Sequence, residues 1–351
     1  MNIEYRNMNP EEAKETMALA RRVFPFWYSL FIWGFKDAVV AVDDGKIVGG
    51  AAWHIIKTKV GTFGYLDFGF TDKDYRGMGI GRETYTRVMN HLKEAGCDSY
   101  GALVLSDNTA SWTLLADNGC SRSSGGCLRR KYGFFGALKI QFETAFVFAP
   151  GGELWKTGEE AKAMQSSAVS IIIFLLANCA LALLTGFRQG RGLDLFDAGT
   201  VAALLSFRLL VTRLFIGRSE TPLRFSFWRS GWMLPVFVLI SGGVFPLGGD
   251  FYPAERKWSY ADFRRKAGMG GLGSWLSVLL AAVFLLYVKY NLPDLLLLFD
   301  GIYQWIYMLL IFNAVPIVCE SWPGNRVLSW NKGLFIGLAA FSVLILVLIF
   351  L

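Results

Sequence analysis

The sequence predicts an α/β mixed sheet followed by an all-α polytopic membrane domain with a re-entrant segment. Three observations carry that expectation. Strand-like and helical periods alternate up to about residue 147, long apolar runs fill residues 166–351, and a stretch containing Gly, Glu and Lys separates the two. The expected boundaries are a first domain at 1–148, a linker at 149–165 and a membrane domain at 166–351. That last part would hold about five transmembrane helices plus a re-entrant hairpin at 231–247.

Charge divides the chain at the same place. Residues 1–165 hold 20 Lys/Arg against 19 Asp/Glu, whereas residues 166–351 hold 15 against 9. The basic excess therefore lies among apolar runs, where it reads as membrane-flanking anchors. No Lys/Arg-rich stripe with interleaved aromatics points to nucleic acid. Met1–Glu15 is polar and acidic and does not read as a signal peptide. Five scattered cysteines without a C-x-x-C pair are expected as free thiols in a reducing compartment.

In chain order, Ile3–Arg6 reads as a strand, and Pro10 with Glu11 and Glu12 opens a helix to about Val23. An aromatic segment, Phe24–Phe35, follows. Ala38–Val42 and Ile47–Lys57 form a hairpin around Asp43-Asp44-Gly45, and a further strand ends at Phe70. Then comes Arg76-Gly-Met-Gly-Ile-Gly81, ahead of a helix with Tyr85, Val88, Met89 and Leu92 at helical spacing. A glycine-rich turn opening a helix offers unpaired N–H groups and the positive end of the helix dipole. That is a phosphate or pyrophosphate site, and glycine admits close approach. A G-x-x-x-x-G-K-[ST] loop is absent, and no acidic residue follows a second strand as a dinucleotide fold requires.

Ser99–Leu105 reads as a buried strand, followed by Asn108, Ser111, Leu114, Leu115, Gly119 and Cys120. With Arg76, Gly79 and Gly81 in the earlier turn, residues 1–146 resemble the GNAT superfamily of N-acetyltransferases in the order and separation of two motifs. The resemblance implies acetyl-CoA or another acyl-CoA as cosubstrate, an amine acceptor of unknown identity and no metal. It implies that backbone groups of Phe68, Gly69 and Phe70 hold the pantetheine. Amides of Gly77, Met78, Gly79, Ile80 and Gly81 would hold the pyrophosphate, with Arg76 and Arg82 as further phosphate contacts and Asn108 at the cofactor edge. Asp67 and His54 are the candidate catalytic groups, either of which could take the amine proton. The family's helical tyrosine, which protonates the leaving sulfur, falls on Leu115. Two readings follow: an enzyme, or a non-catalytic acyl-CoA sensor coupled to the membrane half.

Apolar runs follow at Ser166–Phe187, Ala198–Ile216, Gly231–Leu247, Met269–Val288, Gly301–Cys319 and Gly333–Leu351. The first has no charge over 22 residues, enough to cross a bilayer. Acyl-CoA is cytosolic, so the N-terminal domain is expected in the cytosol. Gly231–Leu247 is short and carries two prolines. A re-entrant path there keeps both Arg218–Arg229 and Arg256–Lys266 inside, as the positive-inside tendency favours. Arg208 lies deep in its run and needs a partner, with Asp300, Glu320 or a lipid phosphate as candidates. This half resembles the site-2 family of intramembrane metalloproteases at Phe245-Pro-Leu-Gly-Gly249, Lys266-Ala-Gly-Met-Gly270 and Phe312-Asn-Ala-Val-Pro316. The family's His-Glu-x-x-His falls on Ser206-Phe-Arg-Leu-Leu210 and its Asp ligand on Ser321. The resemblance therefore implies a protease-like scaffold without zinc ligands, not an active metalloprotease.

Overall fold

A computed structural model describes the chain apart from residues 1, 25–28, 30–31, 33, 35, 124, 159–165, 256–257, 297–298, 316–320 and 351. The chain forms two compact units. The first takes residues 1–104, 108–146 and 153–163, and the second residues 105–107, 147–152 and 164–351.

The first unit is built on a seven-stranded mixed sheet in the order β1-β2-β3-β4-β5-β7-β6. Its strands are β1 Glu4–Asn7, β2 Asp37–Asp43, β3 Lys46–Lys57, β4 Thr62–Thr71, β5 Ser99–Leu105, β6 Ser121–Arg122 and β7 Gly152–Lys156. Asp44 and Gly45 both take positive φ (47° and 78°), as the two-residue hairpin turn between β2 and β3 demands. β4 runs antiparallel to β3 and parallel to β5. Strand β7 falls inside the stretch expected as a linker. Its Leu154, Trp155 and Lys156 are buried, and its backbone joins the sheet, so the polar composition around it concealed a strand.

Helix α1, Ala13–Val23, packs Leu19 and Ala20 against Val40, Val42, Ile47 and Phe70. Helix α2, Ile80–Glu94, places Ile80 against Ala41 and Val48. Alternate residues of β2 serve the two helices, so α1 and α2 cover opposite faces. Helix α3, Thr109–Asp117, approaches α2 at Gly81 and Leu114. Helix α4, Gly125–Glu143, is kinked at Gly133 and packs Leu128, Tyr132, Ala137 and Ile140 on Ile56, Phe63 and Tyr65. The β3–β4 register passes from Trp53↔Leu66 to Ala52↔Phe68, leaving Asp67 as a bulge residue. The bulge inverts the alternation along β4, so Phe63 and Tyr65 under α4 share a face with Phe68 and Phe70 under α1.

The second unit is helical: α5 Ser167–Arg188, α6 Leu195–Ile216, α7 Met233–Ile240, α8 Tyr260–Asn291, α9 Asp300–Ala314, α10 Pro323–Trp330 and α11 Lys332–Phe350. Among the described residues, four helices (α5, α6, α8 and α11) are long and apolar enough to cross a membrane. The run expected as a fifth forms α9, whose 15 residues extend about 22 Å. Small residues let α8 and α6 approach closely: an added carbon at Gly270 would lie 2.8 Å from Ile216. The unit is not all-α. Strands β8 Leu223–Phe227 and β9 Gly249–Pro253 pair antiparallel, with Phe227 opposite Gly249. The two ends of the segment 228–248, which contains α7, therefore lie side by side.

Arg208 donates from Nε to Ser274 Oγ at 2.6 Å. The side chain of Asp300 and all of Glu320, its expected partners, lie outside the described residues. Arg213 donates to Gly217 O at the exposed end of α6.

Candidate functional site

The site is organised by a divergence of two strands. Parallel pairing of β4 with β5 ends at Leu66↔Ala102, yet β4 continues to Thr71. Beyond Leu66, the backbone of Phe68, Gly69 and Phe70 remains paired to β3 at Ala52, Ala51 and Gly50. Its other edge is not part of the β5 ladder, which ends at Leu66↔Ala102.

β4 leads into the glycine turn. Gly77 and Gly79 take φ of 83° and 81°, the left-handed region that glycine enters without steric cost. Gly79 is the N-cap of α2, and a side-chain carbon added at either glycine would meet open space. The amides at the start of α2 therefore face outward with no turn of helix before them. Ile80 is buried and anchors the turn, while Met78 is exposed. Arg76 and Arg82 are exposed beside it, Arg82 lying 3.6 Å from Asp117. Outward amides at a helix N-terminus can accept an anion.

The two candidate bases meet. His54 on β3 and Asp67 on β4 lie in contact, Nδ1 to Oδ2, at 2.7 Å. The bulge produces the pairing, because it displaces Asp67 from the regular ladder beside Trp53 and His54. The Asp67 hydrogen bond pushes the His54 imidazole above its ordinary value, against an opposing effect of burial. In the neutral ring, Nδ1–H then donates to Asp67, and Nε2 is left as acceptor. His54 is partly exposed, so a substrate can reach it.

On the other face of the sheet, Tyr85 of α2 packs under β4. An added carbon at Gly69 would lie 2.7 Å from the Tyr85 oxygen, so only glycine leaves room for this phenol. The hydroxyl donates to Ser111 Oγ of α3 at 3.5 Å. Burial raises its pKa, which keeps it protonated. Helical spacing alone had marked Tyr85 as an apolar core position. The signal that could have separated it from Val88 and Leu92 was a glycine in the facing strand.

Asn108 caps α3 by accepting from Ser111 N at 3.2 Å. The preceding Asp107 pairs with Arg326 within the second unit. Leu115 is fully buried. Cys120 is buried, and its thiol is pushed up to about 12 by desolvation, which disfavours a nucleophile. The aromatic segment Phe24–Phe35 lies largely outside the described residues. Phe24 itself stacks edge-on against Phe68 at 5.9 Å. No group of three or more His, Cys, Asp or Glu could hold a metal among the described residues.

Residues 7–119 match the model of the acetyltransferase (GNAT) family. No curated protein sequence matches the chain. Among solved structures, the NatC complex bound to Gag peptide and CoA aligns at 16% identity over 46% of this chain and 100% of that one, with a TM-score of 0.32. PaiA N-acetyltransferase from Thermoplasma acidophilum in complex with coenzyme A aligns at 13% identity over 45% and 100%, with a TM-score of 0.32. N-acetylglutamate synthase from Neisseria gonorrhoeae, complexed with coenzyme A and N-acetyl-glutamate, aligns at 14% over 45% and 35%, also at 0.32. The assignment of an acetyltransferase (GNAT) domain to residues 7–119 rests on the family-model match.

Proposed function

We propose that this chain is a membrane-bound N-acyltransferase that moves an acetyl group from acetyl-CoA to an amine near the cytosolic membrane face. The observation that carries the reading is the His54–Asp67 pair at 2.7 Å, next to a strand divergence that leads into an outward-facing glycine turn. Amides of Gly77 to Gly81 hold the pyrophosphate, with Arg76 and Arg82 adding charge, and Asn108 lies at the edge of that site. The edge of Phe68, Gly69 and Phe70 that faces away from β3 holds the pantetheine by strand-like pairing. One of those N–H groups polarises the acyl carbonyl.

Acyl-CoA supplies an activated thioester. The chain must then orient the acceptor, remove a proton from its nitrogen and return one to the sulfur. His54 Nε2 takes the amine proton while Asp67 holds the ring and stabilises the imidazolium. The nitrogen–carbon bond forms as the carbon–sulfur bond breaks. Tyr85 donates its hydroxyl proton to the departing sulfur and is reprotonated from solvent through Ser111. Base and acid thus act from opposite faces of the sheet, which suits a reacting carbon lying between them.

In the membrane half, we infer a multi-pass insertion with residues 1–148 cytosolic and a re-entrant segment at 231–247. The pairing of Phe227 with Gly249 supports it, since the segment must return to where it left. The eight residues of α7 cover about 12 Å, less than half of a hydrocarbon core. A protease-like scaffold without zinc ligands remains part of this reading: neither histidine of the chain lies beyond His91.

The test is thiol release from acetyl-CoA by the full chain in nanodiscs with a panel of amines, alongside titration calorimetry with acetyl-CoA. Turnover that fails in His54→Ala while binding persists supports the enzyme. Binding without turnover across the panel transfers the proposal to an acyl-CoA sensor, for which the apolar Leu115 in the family's tyrosine position speaks.

A further inference from the structure

Helix α4 carries a surface that acyl transfer does not use. Its backbone breaks at Gly133, where φ of 69° and ψ of 178° interrupt the helix. The next two residues, Phe134 and Phe135, are 60% and 80% exposed and touch each other edge to face at 5.4 Å. Two adjacent phenylalanines held in water forgo the stabilisation that burial gives an aromatic ring, so a surface that keeps them has an apolar use.

The surroundings of these rings are basic. Residues 125–143 hold Arg129, Arg130, Lys131 and Lys139 against a single acidic residue, Glu143. The β3–β4 loop extends the patch. Lys139 donates to Lys57 O at 2.7 Å, and Gly136 faces Thr58, with an added carbon 3.4 Å from its Cβ. That loop presents Lys59 and the 67% exposed Val60. Phenyl rings projecting from a cationic rim match the two layers of an anionic bilayer surface, with apolar groups below the headgroups and cations level with the phosphates. A groove for a peptide would offer concavity and backbone partners; here the rings stand proud on a helix break.

We propose that α4 and the β3–β4 loop form a membrane-docking surface that inserts Phe134 and Phe135 into an anionic lipid leaflet. The consequence for the site follows from the sheet. α4 covers the face that carries Tyr65 and Ile56, and His54 meets Tyr65 edge to face at 5.4 Å. Lys57 is three residues along β3 from His54, or about 10 Å. Docking therefore brings the His54–Asp67 pair to headgroup level and selects acceptors whose amine is held at a membrane. This last step rests on the proposed acyl transfer, whereas the docking itself does not.

The test uses the full chain in nanodiscs, with Cys97, Cys179 and Cys319 replaced by alanine and a nitroxide on Phe135→Cys. Glu94→Cys, at the exposed end of α2 on the opposite face, is the aqueous control. In discs of three parts phosphatidylcholine to one part phosphatidylserine, the label at 135 should lose collision with a water-soluble nickel chelate and gain collision with oxygen. Replacing phosphatidylserine by phosphatidylcholine, or introducing Arg129→Glu with Arg130→Glu, should restore nickel access. Nickel access at 135 equal to that at 94 in the anionic discs overturns the proposal. So does spin–spin broadening at 135 that disappears on dilution with unlabelled chain, which would assign the surface to a second copy. Neither readout depends on turnover, so the acyltransferase reading can fail while this one holds.

Discussion

Arg326 and Asp107 stand 219 positions apart and share a two-point ion pair, Nη2 to Oδ1 at 3.0 Å and Nε to Oδ2 at 3.3 Å. Arg326 also reaches Asp250 Oδ2 at 2.9 Å and lies over the Tyr252 ring at 4.8 Å. All three charged groups are buried. Burial raises the Asp107 pKa, and the guanidinium opposes that effect, so the carboxylate depends on Arg326. Removing one partner of such a pair leaves an uncompensated charge, which costs about 3–5 kcal/mol. Arg326→Met should lower the unfolding midpoint of the second unit, and Arg326→Met with Asp107→Asn and Asp250→Asn should recover part of the loss. Thermal unfolding in detergent checks both, and a single variant as stable as the parent would remove the triad from the stability of this unit.

In the proposed reaction, His54 governs the pH dependence. The reaction needs a neutral imidazole, so activity should rise with pH through its pKa. Asp67 holds that pKa above the ordinary value of about 6.5. Asp67→Asn removes the raising influence and should move the acidic limb to lower pH while lowering kcat. His54→Ala should cost about 100- to 10,000-fold. A limb that stays in place in Asp67→Asn would show that another group titrates.

Gly79→Asp should abolish measurable acyl-CoA binding with the fold retained. The substitution sets a negative charge in the anion cradle, and φ of 81° strains any side chain by about 1–2 kcal/mol. Gly79→Ala carries the same strain without the charge and should lose less affinity. Equal titration isotherms for parent and Gly79→Asp would remove the turn from the site.

Tyr85→Phe should lower kcat and leave KM for acyl-CoA nearly unchanged, because only the proton on the sulfur is affected. Leu115→Tyr, by contrast, adds a hydroxyl to a fully buried position and should destabilise instead of rescuing. A Tyr85→Phe enzyme with unchanged kcat assigns the sulfur's proton to water.

Single cysteines at Arg224 and Arg264 should react with an impermeant thiol reagent from the same side of sealed vesicles. Labelling from opposite sides would mean that residues 228–248 cross the bilayer, against the adjacency of their ends in the β8–β9 pair.

Much of the site was legible where chemistry is local. The glycine turn and the helix after it each depend on residues within one turn of chain, and both form as their spacing implies. His54 and Asp67 were readable singly. Their contact was not, because it depends on a bulge that shifts register between two strands. Tyr85 was hidden for a related reason: a phenol at a core position looks like packing until the facing residue is known to be Gly69. The β8–β9 pair and the Arg326–Asp107 bridge are long-range and leave no period in sequence. β7 was lost to composition, five residues amid Gly, Glu and Lys.

The place of β7 in the sheet has a consequence for biosynthesis. β7 lies between β5 and β6, so the sheet stays open along β5 until residue 156 has been made. The first apolar helix begins at Ser167, only eleven positions later. At about 5–20 residues per second, the closing strand and the start of this apolar helix emerge within roughly two seconds of each other. Under the proposed membrane insertion, the nascent sheet must therefore close while the ribosome is already delivering its next segment to the membrane. Slowed translation just after residue 156 should then favour correct assembly, and a shortened connection there should expose an open strand edge at the translocation site.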